Sequence, residues 1–276
     1  MPKAEFSFSE LQRLLGKKRS IQELREEIPM LGVDLESIDE EKLIVEIFPN
    51  RPDMLSVEGF ARALRGKLGI ETGLVSPKIE SSGITLKVDS SVSAVRPYVT
   101  AAVVRGITIN DQNLRSLMDL QEKLHITHGR RRRKVAIGVH DLSKVAPPFT
   151  YKAVKPESVS FIPLDMSTPM NLKQILSDHP KGRDYAWTLE KAEVYPIILD
   201  INGDVLSFPP IINGELTRVT EETKDLFIDV TGTDEKAINL AVNILVHAFA
   251  DMGGSIYSVD VKASPEGGRP TKRATP

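Results

Sequence analysis

The sequence predicts a mixed α/β (α+β) fold, in which a small N-terminal α/β domain is followed by a larger domain with helices packed on a mixed sheet. Three observations predict it. A chain of 276 residues suits two domains, helix and strand patterns alternate along it without a repeat, and a Pro/Gly/Ser-rich connection follows residue 69. We therefore predict domains at 1–78 and 79–261, with residues 262–276 as a linker or disordered tail.

Composition narrows the class of protein. Apolar residues make up 41% and charged residues 27% of the chain, which is typical of a globular protein. The absence of cysteine excludes disulfides, thiolate zinc sites and cysteine nucleophiles. No apolar run reaches the length of a membrane span, and the N-terminus lacks the apolar region of a signal peptide. We expect a cytoplasmic protein without a membrane contact.

Capping residues place the helices of the first domain. Ser9, with Gln12 three residues later, is typical of a capping box, and Ser20 and Ser56 precede two further helices. The turn at 50–53 either caps local structure or belongs to a site. The predicted elements are strand 5–8, helix 10–15, helix 21–28, strand 43–48 and helix 57–68.

In the second domain, alternation and continuous β-branched runs predict most strands, and apolar stripes at helical spacing predict the helices. The segment 98–106 is apolar almost throughout and is typical of a buried central strand. We predict a polar loop over 179–186. The other predicted strands are 84–89, 135–139, 151–154, 160–164, 195–199, 205–208, 226–230 and 256–261, and the helices are 114–124, 171–177 and 234–252.

The segment from Ser207 to Asp234 is the first candidate site. Two apolar runs joined by an Asn-Gly turn predict a hairpin that ends at Pro209 and Pro210, which have no N–H to donate to a ladder. We expect the following residues, 211–214, to leave the sheet as a loop with free N–H groups. Asp229 then stands in an apolar strand, either facing that loop in a small pocket or lying on the solvent face.

Five consecutive cations form the second candidate site: Arg130, Arg131, Arg132, Arg133 and Lys134. On a chain of formal net charge −2, such a cluster is a local attractor for phosphate, although a charge run is also typical of a solvated surface.

Three histidines lie near this charge run. His125 and His128 have no carboxylate or cysteine at metal-binding spacing, which favours structural roles. His140, at the end of a short strand, is either a structural residue or part of the pocket.

Four segments carry a resemblance to a known family. They are 31–36, 50–56, the pair 121–125 and 135–142, and the pair 207–213 and 226–230. With these segments the chain closely resembles the N-terminal half of the β subunit of phenylalanyl-tRNA synthetase of the archaeal and eukaryotic type. The resemblance covers nearly everything up to residue 261, so we expect the chain to be a fragment of a longer subunit.

The resemblance implies a function. Residues 79–261 match the editing domain, which hydrolyses tyrosine mischarged onto the phenylalanine tRNA, while the synthesis site lies on a partner α subunit. The implied partners are the acceptor end of that tRNA and the α subunit, in an α2β2 enzyme. The implied cofactors of the whole enzyme are ATP and magnesium, and we expect none in this fragment.

The resemblance and the residue chemistry together suggest roles within the site. Asp229 would accept a hydrogen bond from the tyrosine phenol, aided by backbone N–H groups at 211–214, and a positioned water would attack the ester. The candidates for holding the water or the ester carbonyl are His140, Asn213 and Thr223. The candidates for substrate binding are Ser207, Pro209, Ile211, Ile212, Gly214 and Asp229, and those for tRNA binding are Arg130–Lys134. Two alternatives remain open, namely a non-catalytic binding module for tRNA or a subunit and an esterase of small molecules.

Overall fold

A nine-stranded mixed sheet dominates the structure, a computed structural model that describes residues 2–263. A smaller three-stranded antiparallel sheet, with strand order β1-β3-β2, precedes it in the chain. This confirms the predicted fold class. The elements of the first part are β1 (Lys3–Ser7), α1 (Phe8–Leu15), α2 (Ile21–Glu27), β2 (Asp34–Ile38), β3 (Lys42–Glu46) and α3 (Val57–Lys67).

The caps of the first helices follow the sequence prediction with one exception. Ser20 and Ser56 accept hydrogen bonds from backbone N–H groups three residues later, each at 3.1 Å. The prediction of Ser9 as the first cap is wrong, because Ser7 occupies that position and accepts from the N–H of Glu10. The strand therefore ends one residue earlier, and α1 begins at Phe8.

The large sheet has the strand order β12-β11-β10-β7-β4-β14-β5-β13-β6. Its pairs are antiparallel except for β4–β14 and β4–β7. The strands are β4 (Ile79–Val88), β5 (Tyr98–Arg105), β6 (Val135–Asp141), β7 (Phe149–Val154), β10 (Tyr195–Leu199), β11 (Val205–Phe208), β12 (Ile212–Asn213), β13 (Leu226–Gly232) and β14 (Ser255–Ala263). A separate two-stranded ribbon consists of β8 (Ser160–Phe161) and β9 (Met170–Asn171).

Four helices accompany this sheet: α4 (Asp111–Ile126), α5 (Leu172–Asp178), α6 (Pro180–Tyr185) and α7 (Glu235–Asp251). The apolar face of α7 is buried against β5, β13 and β14. Buried side chains from the first 70 residues, from α4 and from α7 form one continuous hydrophobic cluster. The two parts of the chain therefore share a core.

Several predicted elements differ from the observed ones. The predicted polar loop 179–186 contains α6, and the predicted strand 160–164 is reduced to the two residues of β8. The predicted linker begins too early, because residues 262 and 263 continue β14, and its remainder, 264–276, lies outside the described residues. Among residues 2–263, no helix combines the length and apolar character that a membrane crossing requires.

Candidate active site

The register of β13 with β6 brings two buried polar side chains together. Asp229 lies opposite Gly138, and His140 is two residues further along the same strand as Gly138, so both side chains project from one face of the sheet. The Nε2 atom of His140 lies 2.7 Å from Oδ1 of Asp229. Asp229 is 1% exposed and His140 is fully buried. The sequence left open whether Asp229 faces solvent, and the structure places it inside.

The second ring nitrogen of His140 is also occupied. Its Nδ1 lies 2.8 Å from the hydroxyl oxygen of Thr217. A carboxylate oxygen only accepts hydrogen bonds, so Nε2 donates to Asp229. The Thr217 hydroxyl also lies 3.2 Å from the carbonyl oxygen of Gly214, to which it can donate. Thr217 and His140 thus fix the orientation of the Asp229 carboxylate.

Gly138 makes room for this pair. A Cβ atom at residue 138 would lie 2.3 Å from Oδ1 of Asp229 and 2.6 Å from Nε2 of His140. Both distances are too short for non-bonded atoms, so only glycine leaves the hydrogen bond undisturbed. The absence of a side chain also leaves this part of the strand open to the cavity described next.

Asp229 faces a cavity of about 440 Å³, a volume within the range of small-molecule sites. Its walls come from β6, β13, α4 and the segment that follows β11. The residues that line it are Met118, Gln121, Glu122, His125, Arg132, Ala136, Ile137, Gly138, Leu164, Asp165, Lys181, Ser207–Asn213 and Asp229.

Three further polar atoms of residues in this lining have no hydrogen-bond partner within residues 2–263. They are Oγ of Ser207, Nδ1 of His125 and Nε of Arg132, and all three are buried. Buried polar groups in folded proteins are normally satisfied, so unpartnered groups that line a cavity indicate a place for a polar ligand or water. With Asp229, they make the cavity polar at several points of an otherwise largely apolar surface.

The segment after β11 does not have the predicted conformation. Residues 212 and 213 return as β12, paired antiparallel to β11, so that Ser207 lies opposite Asn213. The N–H of Ile211 donates to the carbonyl of Phe208, and the N–H of Gly214 donates to that of Leu206, each at 2.8 Å. The prediction of free N–H donors is therefore wrong for these two residues, because the chain satisfies its own backbone after the cis Pro209–Pro210 bond.

Arg132 lies in the cavity wall and is not a freely exposed cation. Its guanidinium donates to the carbonyl of Ile211 at 2.9 Å and to the carboxylate of Glu122 at 3.0 Å. It also lies 4.4 Å from the ring centroid of Tyr185. Its side chain is 11% exposed. Arg132 thus connects α4, α6 and the segment after β11.

His125 and Glu122 form a second polar pair at the cavity. The backbone N–H of Ile137 donates to Nε2 of His125 at 2.8 Å, so this nitrogen carries no proton. Burial lowers the pKa of His125 to about 4. Its Nδ1 faces Glu122 at 3.6 Å, and together with the guanidinium of Arg132 it holds the pKa of Glu122 far below its usual value.

The structure gathers some predicted site residues and separates others. Ser207, Pro209, Ile211, Ile212, Asn213 and Asp229 line the cavity. His140 lies behind Asp229, away from the lining. Gly214 is outside the lining, and Thr223 lies elsewhere, with its hydroxyl donating to Asp141 at 2.9 Å. Thr223, which was predicted to hold the water or the ester carbonyl, is therefore not among the residues that line this cavity.

The five cations predicted to bind phosphate differ in their exposure and in their contacts. Arg130, Arg131 and Arg133 are exposed, Arg132 is in the cavity wall, and Lys134 pairs with Asp234 at 3.2 Å. The structure therefore leaves three of the five available for an external anion.

Sequence reasoning missed several residues of the site. Gly138 interrupts an apolar strand, a pattern that signals a close approach of neighbouring groups. Thr217, Glu122 and Tyr185 carry no comparable local signal, since each enters the site through tertiary contacts. His125 was assigned a structural role, and the unpartnered Nδ1 at the cavity appears only in three dimensions.

The chain is similar to known proteins along almost all of its length. A family model described as the B3/4 domain matches residues 86–245. The phenylalanine–tRNA ligase β subunit of Archaeoglobus fulgidus is 52% identical over 261 residues, which are 95% of this chain and 47% of that protein. The β subunit of Methanocorpusculum labreanum is 47% identical over 275 residues, 99% of this chain and 50% of that protein.

A solved structure shares the fold. The crystal structure of an N-terminal fragment of the phenylalanyl-tRNA synthetase β subunit from Pyrococcus horikoshii matches with a TM-score of 0.91 at 39% identity. The match covers 98% of this chain and 79% of the other. The chain spans about half the length of the curated relatives named above.

Proposed function

The chain belongs to the family of phenylalanine–tRNA ligase β subunits, and we propose that its B3/4 domain has an editing activity. In this reaction the domain hydrolyses the ester that links mischarged tyrosine to the phenylalanine tRNA. The observation that carries this proposal is the buried Asp229 carboxylate, held by His140 and facing a cavity of about 440 Å³. The cavity is large enough for an aminoacyl group, and the carboxyl group of Asp229 belongs to its lining.

Asp229 is proposed to select tyrosine. An apolar synthetic pocket rejects an added hydroxyl only by about a hundredfold, so a second site that requires the hydroxyl improves accuracy. A tyrosine phenol in the cavity would donate a hydrogen bond to Asp229, whereas phenylalanine would leave the buried carboxylate without that partner. Such an unmet buried acceptor costs about 1–3 kcal/mol, which corresponds to roughly a 5- to 150-fold preference.

The proposed reaction needs only water as a co-reactant. Water attacks the ester carbonyl carbon, the bond to the ribose oxygen breaks, and that oxygen leaves with a proton as the terminal hydroxyl. The chain has no cysteine, and a positioned water is the nucleophile that we propose. Asn213 and Ser207, two residues that line the cavity, are the proposed contacts of the water or of the carbonyl, while His140 positions Asp229.

The partners of the whole protein are proposed from the family. The relatives are ligase β subunits by name. We propose that the whole protein binds phenylalanine tRNA through its acceptor end and associates with an α subunit that holds the synthesis site.

Deacylation of two charged tRNAs tests the proposal. Tyr-tRNA and Phe-tRNA, both made with phenylalanine tRNA, are incubated with the chain, with Asp229→Asn and with Asp229→Ala. We expect rapid loss of tyrosine alone with the unmodified chain. Asp229→Asn, which keeps the volume of the side chain, should reduce the preference for tyrosine by about 5- to 150-fold.

Two further measurements, of tRNA binding and of tyrosine methyl ester hydrolysis, separate the two alternatives. If the chain binds tRNA but hydrolyses neither ester, it is a non-catalytic binding module. Hydrolysis of tyrosine methyl ester at a similar rate without RNA would identify a small-molecule esterase. Either result would overturn the proposed editing reaction for this chain.

A further inference from the structure

Two consecutive arginines face two aromatic rings beside the cavity. The guanidinium of Arg132 lies 4.4 Å from the ring centroid of Tyr185, and that of Arg131 lies 6.0 Å from the ring centroid of Trp187. Tyr185 is 8% exposed, whereas Trp187 is 41% exposed. The inner pair is therefore closed within the protein, and the outer pair presents aromatic surface to solvent next to the cavity wall.

The outer pair is held in place. The indole Nε1 of Trp187 donates to the carbonyl of Asp184 at 3.1 Å, which fixes the orientation of the ring. The backbones of Arg131 and Arg132 have φ values of 54° and 66°, in the left-handed region that side chains rarely adopt. Their N–H groups donate to carbonyls at the end of α4, at 3.2 Å and 3.0 Å. The surrounding structure thus maintains an unfavourable backbone that aims Arg131 towards Trp187.

The surface around Trp187 is suited to phosphate. Arg130, Arg131 and Arg133 are exposed, and none of them forms an ion pair within residues 2–263. Lys181, whose ammonium lies 6.0 Å from the Tyr185 ring centroid, adds a cation on the cavity side. On a chain of net charge −2, this concentration of unpaired positive charge selects a polyanion.

We propose that Trp187 and Arg131 form a stacking site for an unpaired nucleobase of RNA, with Arg130 and Arg133 contacting the adjoining phosphates. Single-stranded nucleic acids are bound by such combinations of exposed aromatic rings and cations, because every base offers a π-face. Bases within a duplex are already stacked and do not reach such a ring. The site rests on the proposed function, since it would hold the single-stranded 3′ end of a tRNA whose ester enters the cavity.

The fluorescence of Trp187 tests the proposal directly, because it is the only tryptophan in the chain. The probes are a hairpin RNA with four unpaired 3′ nucleotides and the same hairpin with a blunt end, neither carrying an amino acid. We expect the unpaired end to quench Trp187 and to bind at least tenfold more tightly than the blunt hairpin.

Variants identify the contributions of ring and charge, with affinity measured by anisotropy of labelled RNA. Trp187→Ala should weaken binding of the unpaired end by about 10- to 100-fold and remove its advantage over the blunt hairpin. Trp187→Phe keeps an aromatic ring at this exposed position and should retain most of the affinity. Arg131→Gln should weaken both RNAs and reduce the salt slope by about one. Leu74→Ala, at an exposed apolar residue, is the matched control.

The proposal fails if both hairpins quench Trp187 equally, or if Trp187→Ala binds the unpaired end as tightly as the unmodified chain. If neither RNA changes the fluorescence, the nucleobase site is excluded. The exposed surface around Trp187 would then be available to a protein partner instead. These results are independent of editing, because no ester is present. Loss of Tyr-tRNA hydrolysis with intact RNA binding would count against the editing reaction alone.

Discussion

Gly138 has no side chain, and the hydrogen bond between His140 and Asp229 passes through the space that a side chain would need. Gly138→Ala places a Cβ 2.3 Å from Oδ1 of Asp229 and 2.6 Å from Nε2 of His140. Because both partners are buried, they cannot move away into solvent. We expect the free energy of unfolding to fall by about 1–3 kcal/mol and the proposed Tyr-tRNA hydrolysis to be lost.

Gly66→Ala is the matched control for this variant. Gly66 lies within α3, and an added Cβ would meet its nearest neighbour at 3.8 Å, an ordinary contact. Because alanine favours helix more than glycine does, this change should preserve or slightly raise stability in a denaturant titration. Equal stability of Gly138→Ala and the unmodified chain would contradict the close packing at Asp229.

A second residue-scale prediction concerns pH. The folded protein keeps His125 neutral down to a pKa of about 4, whereas the unfolded chain protonates it near 6.5. Between these values the unfolded state binds more protons, so the free energy of unfolding falls as the pH is lowered. The expected loss between pH 6.5 and 4.5 is about 2–3 kcal/mol. Glu122 has a lowered pKa, and its own contribution is lost only below its unfolded value of 4.5.

Chemical denaturation at a series of pH values measures this effect. His125→Gln is the control, because its amide oxygen accepts from the Ile137 N–H in place of the ring nitrogen and does not titrate. The variant should lose most of the pH dependence between 6.5 and 4.5. If both proteins show the same slope, His125 is not the group responsible.

At the scale of elements, local patterns predicted most helices and strands, but they did not predict that the chain pairs with β11 again, as β12, after the two prolines. The hairpin β10–β11 and the buried strands β5 and β13 follow from apolar runs and turn residues. β12 has two residues and exists because β11 offers an edge to pair with, so no local pattern marks it. α6 was missed since its polar sequence lacks an apolar stripe.

The candidate site shows the same division between local and tertiary information. Asp229 and the segment around Pro209 stand out because a carboxylate within an apolar strand and two prolines after a strand break local rules. The register that sets Asp229 opposite Gly138 and the burial of Arg132 depend on strand order, which a single sequence does not contain. His140 was identified as a candidate, but its position behind the carboxylate emerged only from the fold.

Arg132 supports an element-scale prediction, because it connects three elements through one guanidinium. Arg132→Ala leaves the carbonyl of Ile211 and the carboxylate of Glu122 without this donor and removes the contact with Tyr185. We expect the free energy of unfolding to fall by about 2–3 kcal/mol. Because the cavity wall would be held less firmly, the proposed Tyr-tRNA hydrolysis should also be slower.

Two variants show whether the planar guanidinium of Arg132 is the cause of this stability loss. Arg132→Lys keeps the charge but loses the planar fork, so it should recover only part of the stability. Arg133→Ala, at an exposed residue of the same turn, should change stability by less than about 0.5 kcal/mol. A stability loss as large for Arg133 as for Arg132 would contradict the assignment of Arg132 as the connecting residue.

At the scale of the whole molecule, the first 70 residues and the large sheet are joined by packing and charge. Arg62 of α3 pairs with Asp251 of α7, and buried side chains of α3 belong to the same hydrophobic cluster as those of α7. A shared core favours one cooperative unfolding transition, because neither part can open without exposing apolar surface of the other.

Leu64→Ala tests this cooperativity, with Trp187 as a distant reporter. Leu64 is fully buried in α3, and its truncation should lower the free energy of unfolding by about 2–5 kcal/mol. Trp187 lies after α6, in the other part of the chain. If the molecule unfolds as one unit, its fluorescence and the far-UV circular dichroism shift together to lower denaturant concentration, whereas Leu74→Ala changes neither. An early circular-dichroism transition with unshifted fluorescence would instead show that the N-terminal part unfolds alone.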